Sequence, residues 1–376
     1  MSKYNFDKRI DRKNTGCEKW DSQGGDYIPL WVADMDFKAP DEILNAITKR
    51  VEHGIFGYTS YDWKLREVVV GYYKKNYNYE IDPEWIVWVP SVMVGSNLAC
   101  RLAGGKILYN TPMYPHIRRL SKESRCDYQE IPLTKKDGIY TFDWDKMEAE
   151  IEEDVTTFVL CNPHNPVGRV YERDELERLS KFIVDHDLFL ISDEIHSQLI
   201  LEGSHIPAFT VSEELKERSI TFTSASKTYN IAAIPFAFAI IPNKKIRAGY
   251  KQIAYGLFQT SNALTMEAIE AAYTKCDDWR NELIEYLRGN RDYLEDRIAK
   301  IDGLSINHNQ GTYLAWIDAT ELGLENPWEF FRAKAGVNFS NGADFGDKNY
   351  LRVNFACPRE QLVEAFDKVE IAIKNK

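Results

Sequence analysis

Thr157-Phe158-Val159-Leu160-Cys161-Asn162-Pro163-His164-Asn165-Pro166-Val167-Gly168 carries a short apolar run straight into a polar turn bounded by prolines. The next segment, from Arg173 to Asp187, places Leu176, Leu179, Phe182 and Ile183 on one helical face. A second apolar run, Leu188-Phe189-Leu190-Ile191, then enters Ser192-Asp193-Glu194-Ile195-His196. A strand, a helix of crossover length and another strand imply neighbouring parallel strands. Working outward, Ile220-Thr221-Phe222-Thr223 reads as a third strand entering Ser224-Ala225-Ser226-Lys227, and Phe236 to Ile241 as a fourth. The alternation runs from about residue 85 to 245, so the expected fold class is α/β with a mainly parallel sheet.

Beyond about residue 277 the character changes. Leu283, Leu287, Asn290, Leu294 and Ile298 share the face of a long charged helix, and Thr312 to Ile317 reads as a strand. A final helix opened by Pro358 carries Leu362, Phe366, Val369 and Ile373 on its buried stripe. The expected division is an N-terminal segment (1–45) serving the small domain and the edge of the active site, a large domain (46–280) and a small α+β domain (281–376).

The net charge of −11 argues against a nucleic-acid partner, since phosphates would be repelled over most of the surface. The apolar stretch from Ile231 to Pro242 is too short to span a bilayer and is interrupted by Pro235. Met1 to Lys8 has no apolar run, so no signal peptide is expected, and the six scattered cysteines fit a reducing, cytoplasmic setting. His164, His196 and His205 lack ligand spacing on one element, and no metal is expected. No Gly-x-Gly-x-x-Gly or Walker A string anchors a dinucleotide or ATP site.

Ligands of open parallel sheets bind outside the carboxyl ends of the strands. Three successive strand ends here offer an amide (Asn165), a carboxylate (Asp193) and an amine (Lys227) to one crevice. Singly, Asp193, Ser224 and Ser226 could be helix caps, Asn165 a turn former and Lys227 a solvated surface group. Together they supply what pyridoxal phosphate (PLP) needs. A desolvated lysine forms the Schiff base, a carboxylate faces the pyridine nitrogen, and hydroxyls with backbone N–H groups hold the phosphate. Ser224-x-x-Lys227 also matches penicillin-binding serine enzymes, but the Ser-Asp-Asn and Lys-Thr-Gly partners of that set are missing.

With these strings in view the chain resembles the fold-type-I PLP enzymes of the aminotransferase class I/II superfamily. Within them it is most similar to the cystathionine β-lyase or cysteine C–S lyase branch. The resemblance covers nearly the whole chain, from Leu30-Trp31-Val32-Ala33-Asp34-Met35-Asp36-Phe37 and Phe56-Gly57-Tyr58, through the three strand-end motifs, to Leu351-Arg352-Val353-Asn354-Phe355-Ala356-Cys357-Pro358-Arg359. It implies that Lys227 carries the cofactor and shuttles the substrate α-proton, that Asp193 pairs with the pyridine nitrogen, and that Asn165 donates to the phenolic oxygen. Tyr114 would stack on the ring, with His196 beside the cofactor. Ser224 and Ser226, helped by Val94-Gly95-Ser96, would hold the phosphate. Tyr58 would reach the phosphate of a neighbouring subunit, making a homodimer the functional unit. Arg352 would clamp the substrate α-carboxylate, with Asn165 and Ala33 also at the substrate.

There are departures from the family pattern. Pro235 stands where many members carry a phosphate-binding arginine, Gln198 replaces a frequent acid, Ala233 a usual glycine, and the loop from Leu102 to Lys106 is shorter. The resemblance favours β-elimination from cystathionine or a related cysteine thioether, giving thiol, pyruvate and ammonia. Transamination and a non-catalytic, PLP-binding regulator are the alternatives.

Overall fold

The computed structural model describes residues 3–60, 63–258 and 262–376. Its centre is a seven-stranded sheet: β1 (Ile86–Val89), β2 (Lys106–Thr111), β3 (Tyr128–Pro132), β4 (Val155–Cys161), β5 (Phe189–Asp193), β6 (Ser219–Thr223) and β7 (Ala237–Ile240). The strand order is β1-β7-β6-β5-β4-β2-β3, and only β7 runs against its neighbours. β5, β6 and β7 are buried nearly throughout, which is why they read as continuous apolar runs with no alternation. Register matters most for function. Cys161 lies opposite Asp193, and Asp193 opposite Phe222, so β4, β5 and β6 end level with one another. The polar segments that follow them emerge side by side.

The crossover helix Arg173–Asp185 buries Leu176, Leu179, Phe182 and Ile183 against the sheet and starts with a capping box between Glu172 and Glu175. Each such buried side chain contributes about 1.5–3 kcal/mol. The second sheet is antiparallel, from β8 (Ser305–Ile306), β9 (Leu314–Asp318), β10 (Ser340–Asn341) and β11 (Tyr350–Asn354), in the order β8-β9-β11-β10. It is flanked by the long helix Asp277–Ile298 and the closing helix Arg359–Lys374. Pro358 is the N-cap of that last helix, one position outside the place expected for it. Asn290, fully buried in the long helix, donates to the carbonyls of Phe355 and Cys357 and accepts from Arg359. That explains a polar residue on an otherwise apolar stripe.

The N-terminal segment is tied to this second sheet. Ile28–Pro29 pairs in parallel with Val337–Asn338, and the Asn354 amide donates to the carbonyls of Val32 and Asp34. Asn230, just beyond Lys227, donates to the carbonyls of Met35 and Phe37. Buried Lys19 (2.6 Å) and Arg12 (2.6 Å) both pair with Asp36, clamping the same strap from the other side. Residues 31–37 therefore cross between the two sheets with little freedom. Among the described residues no helix is long and apolar enough to cross a membrane.

Candidate active site

Two adjoining cavities, of about 190 and 450 Å³, meet at Lys227, Tyr114 and Ala33. The inner one lies over the carboxyl ends of β4 to β6 and is lined by Asn165, Asp193, His196, Ser226 and Lys227, among others. The outer one reaches from Lys227 past Arg352 to the N-terminal strap and the second sheet. Parallel register brings the first set together, and the strap brings the second.

Lys227 follows β6 on a tight turn and donates from Nζ to the Ala33 carbonyl at 2.8 Å. Burial, then the nearby Arg352 charge, lowers its pKa to about 8 against the opposing pull of Asp34 and Asp193. A sizeable neutral fraction near neutral pH is what a nucleophilic amine requires. Asp193, at the end of β5, accepts from the Ile195 N–H at 3.1 Å. Burial raises its carboxyl to about 6, with the Ile195 N–H and Lys227 pulling the other way. A buried carboxylate held this unfavourably suits a cationic ring nitrogen placed against it. His196 is pushed down to about 3 by burial and stays neutral, and its Nδ1 has no hydrogen-bond partner. Tyr114 lines both cavities, and burial raises its hydroxyl to about 12, so its ring is a neutral face.

Arg352 sits in the middle of β11, opposite Trp316 and Ser340, and is 5% exposed. It donates to Asn165 Oδ1 (3.2 Å), the Trp31 carbonyl (2.7 Å) and Ser340 Oγ (3.0 Å), while its Nε–H has no acceptor. Phe345 supports the guanidinium from one face at 4.8 Å. Burial lowers its pKa to about 10. Its donation to Asn165 Oδ1 fixes that amide so that the nitrogen is the end left to donate elsewhere.

At the phosphate end, four of the residues expected there, Val94, Gly95, Ser96 and Ser224, do not line the inner cavity. Val94-Gly95-Ser96 is not a loop at the cavity. Ser91 caps the helix Val92–Ala103 by accepting from the Val94 N–H, and Gly95 N bonds to the Ser91 carbonyl, so both amides are spent. Val94 points outward, Ser96 is buried away from the cavity, and a Cβ at Gly95 would lie 2.4 Å from the Phe222 ring. The residues facing the cavity are Ser91, Val92 and Met93, one turn earlier, where first-turn amides of a helix have no internal partner. The signal that could have placed them was Ser91 itself, a serine ahead of an apolar helix. Ser224 also differs. Its hydroxyl donates to the Phe236 carbonyl at 2.6 Å and accepts from the Ser226 N–H, bracing the turn, whereas Ser226 lines the cavity. No arginine stands at Pro235 to replace these donors. Tyr58 is fully exposed in the single chain and lines neither cavity. Ala33 contributes through its carbonyl, which accepts from Lys227 and from the buried Tyr313 hydroxyl at 2.9 Å. Tyr313 packs edge-on against His196 at 5.9 Å. It read only as a strand residue from the sequence, because nothing local marks a tyrosine as sharing an acceptor with a lysine 86 positions earlier.

A parallel-sheet crevice with a perturbed lysine, an uncompensated buried carboxylate, a helix N-terminus and an unpaired guanidinium N–H defines a site for an amino acid and a phosphorylated, ring-containing cofactor. The comparisons agree with that class: residues 25–369 match the model for aminotransferase class I and II, and the chain belongs to that family. It is 32% identical to cystathionine β-lyase PatB of Bacillus subtilis (strain 168), over 98% of this chain and 100% of that one. Among solved structures, OvoB superposes with a TM-score of 0.96 at 37% identity, covering 99% of this chain and 100% of the other. The PLP-bound C–S lyase of Staphylococcus hominis superposes at 0.93 and 31% identity, covering 98% and 99%.

Proposed function

We propose that this chain is a PLP-dependent carbon–sulfur β-lyase that cleaves L-cystathionine or a related L-cysteine thioether to a thiol, pyruvate and ammonia. The observation that carries the reading is the convergence of Lys227, Asp193, Asn165 and Arg352 on two joined cavities, and the lyase names of its relatives choose among reactions of one fold. Bound PLP supplies an electron sink for the pair left at the substrate Cα. Lys227, where the two cavities join, would hold the cofactor, and its Nζ would take up the substrate Cα proton. Asp193 would face the pyridine nitrogen and favour its protonated form. Tyr114 would stack on the ring, Asn165 would donate to the phenolic oxygen, His196 would pack beside it, and Ser226 with the amides of Val92 and Met93 would hold the phosphate. Arg352 binds the α-carboxylate and so turns the Cα–H bond toward Lys227.

The functional unit is a homodimer. Ile55, Phe56, Tyr58 and Trp63 are all at least half exposed along one stretch of chain, an apolar run that a second copy would cover, carrying Tyr58 to the partner's phosphate. Unpaired cysteines support a cytoplasmic location.

The test is a paired assay on purified protein with PLP and L-cystathionine, with and without 2-oxoglutarate. Pyruvate and free thiol formed without the acceptor support the lyase. Glutamate formed only with the acceptor, and no pyruvate, would make the protein an aminotransferase and refute elimination.

A further inference from the structure

The outer cavity is larger than the α-amino-acid end of a substrate requires, and its charges are one-sided. Beyond Lys227 and Arg352, which the reaction itself uses, the described residues that line it include no lysine or arginine. They do include two carboxylates, Glu18 from the N-terminal segment and Asp344 from the turn before β11. Asp344 is close enough to act electrostatically on Arg352. His116 also lines the cavity, and burial holds it toward the neutral form. The walls are aromatic: Trp31, Trp328, Phe339 and Phe345. Such rings attract cations to their faces, and Arg332 already lies over Trp328 at 5.4 Å. Arg332 itself donates to the Gln23 carbonyl and does not line the cavity.

We infer that the outer cavity selects thioethers whose leaving half ends in a cation over those whose leaving half ends in a carboxylate. The inference rests on the lyase reading. Elimination removes the Cα proton and breaks the Cβ–S bond, with the electron pair leaving on sulfur, which takes up a proton. The three-carbon enamine that remains adds water to give pyruvate and ammonium. The leaving sulfur must therefore point away from the inner cavity, and its substituent extends between the aromatic walls toward Glu18 and Asp344. A terminal ammonium meets two carboxylates there. A terminal carboxylate meets the same two and, among the described lining residues, no lysine or arginine beyond Lys227 and Arg352, so like charges repel it.

Three near-isosteres test this: S-(2-aminoethyl)-L-cysteine, S-propyl-L-cysteine and S-(2-carboxyethyl)-L-cysteine, with pyruvate release followed on the PLP-loaded protein. Partly solvated ion pairs of this kind support a preference of about tenfold in kcat/KM for the amine over the propyl compound, and a comparable loss for the carboxylate. The double variant Glu18→Gln/Asp344→Asn should bring the amine-to-propyl ratio close to one. Equal or better turnover of the carboxyethyl compound, or an unchanged ratio in the double variant, overturns the inference and leaves the lyase reading standing. No pyruvate from any of the three, or from L-cystathionine, overturns both.

Discussion

Replacing Arg352 by methionine separates what this side chain does for the fold from what it does for a substrate. The guanidinium is buried, and its three acceptors, Asn165 Oδ1, the Trp31 carbonyl and Ser340 Oγ, are all neutral. Burial lowers its pKa to about 10, below the usual arginine range. Since arginine stays charged regardless, holding it there costs the fold roughly 3 kcal/mol, at about 1.4 kcal/mol per pKa unit. Methionine keeps most of the stem and removes that cost, offsetting the loss of three hydrogen bonds at about 1–1.5 kcal/mol each. The substrate-free protein should change in stability by no more than about 1–2 kcal/mol, a shift of a few degrees in Tm. A substrate carboxylate, by contrast, loses charge-assisted bonds worth about 1.5–3 kcal/mol each, so kcat/KM should fall by about 10²-fold or more, mainly through KM. Thermal unfolding and initial rates of pyruvate release on one preparation read both quantities, with cofactor content as the control. An unchanged KM would remove Arg352 from the substrate site. Unfolding of the variant would make it a structural residue.

Lys227→Ala should abolish activity and, after dialysis, the cofactor's visible absorbance, and persistence of that band would refute the attachment point. Asp193 has a folded pKa of about 6, above its ordinary value, so its ionisation costs the cofactor-free fold stability as pH rises from about 4 through 6. Asp193→Asn should therefore flatten the stability–pH curve of the cofactor-free protein in that window while lowering turnover of the loaded enzyme, and an unaltered curve would remove the carboxylate from a buried, unpaired site. Lys227 has a lowered pKa of about 8, so the rate at which cofactor-free protein takes up PLP should rise as pH passes through that value, and a flat profile between pH 6.5 and 9.5 would contradict it. Gly95→Ala places a methyl group 2.4 Å from the Phe222 ring, and overpacking of this kind should cost about 1–3 kcal/mol in unfolding experiments and weaken PLP retention by displacing the helix that begins at Val92. Unchanged stability would show that the ring can move aside.

Much of this protein could be read from the order of its residues. The apolar runs ending at Cys161, Ile191 and Thr223 marked three buried strands, and the polar residues after each run marked a shared crevice. These are local signals: hydrophobic period, turn chemistry and residue type all lie within a few positions of one another. The sequence therefore determined the α/β class and put a lysine, a carboxylate and an amide at the ends of successive strands. Tertiary structure decided which atoms those groups meet. Only the level register of β4, β5 and β6 brings Asn165, Asp193 and Lys227 to one cavity. Only the strap at residues 31–37 brings the Ala33 carbonyl to Lys227 and the Trp31 carbonyl to Arg352. The helix cap at Ser91 put Ser91, Val92 and Met93 at the inner cavity in place of Val94 to Ser96, because the Ser91 hydroxyl bonded to the Val94 N–H starts the helix there. Glu18 and Asp344 carry no local mark at all. Their meaning comes from lining the same cavity although they are 326 positions apart, and proximity of that kind arises from packing of the whole chain rather than from any window of it.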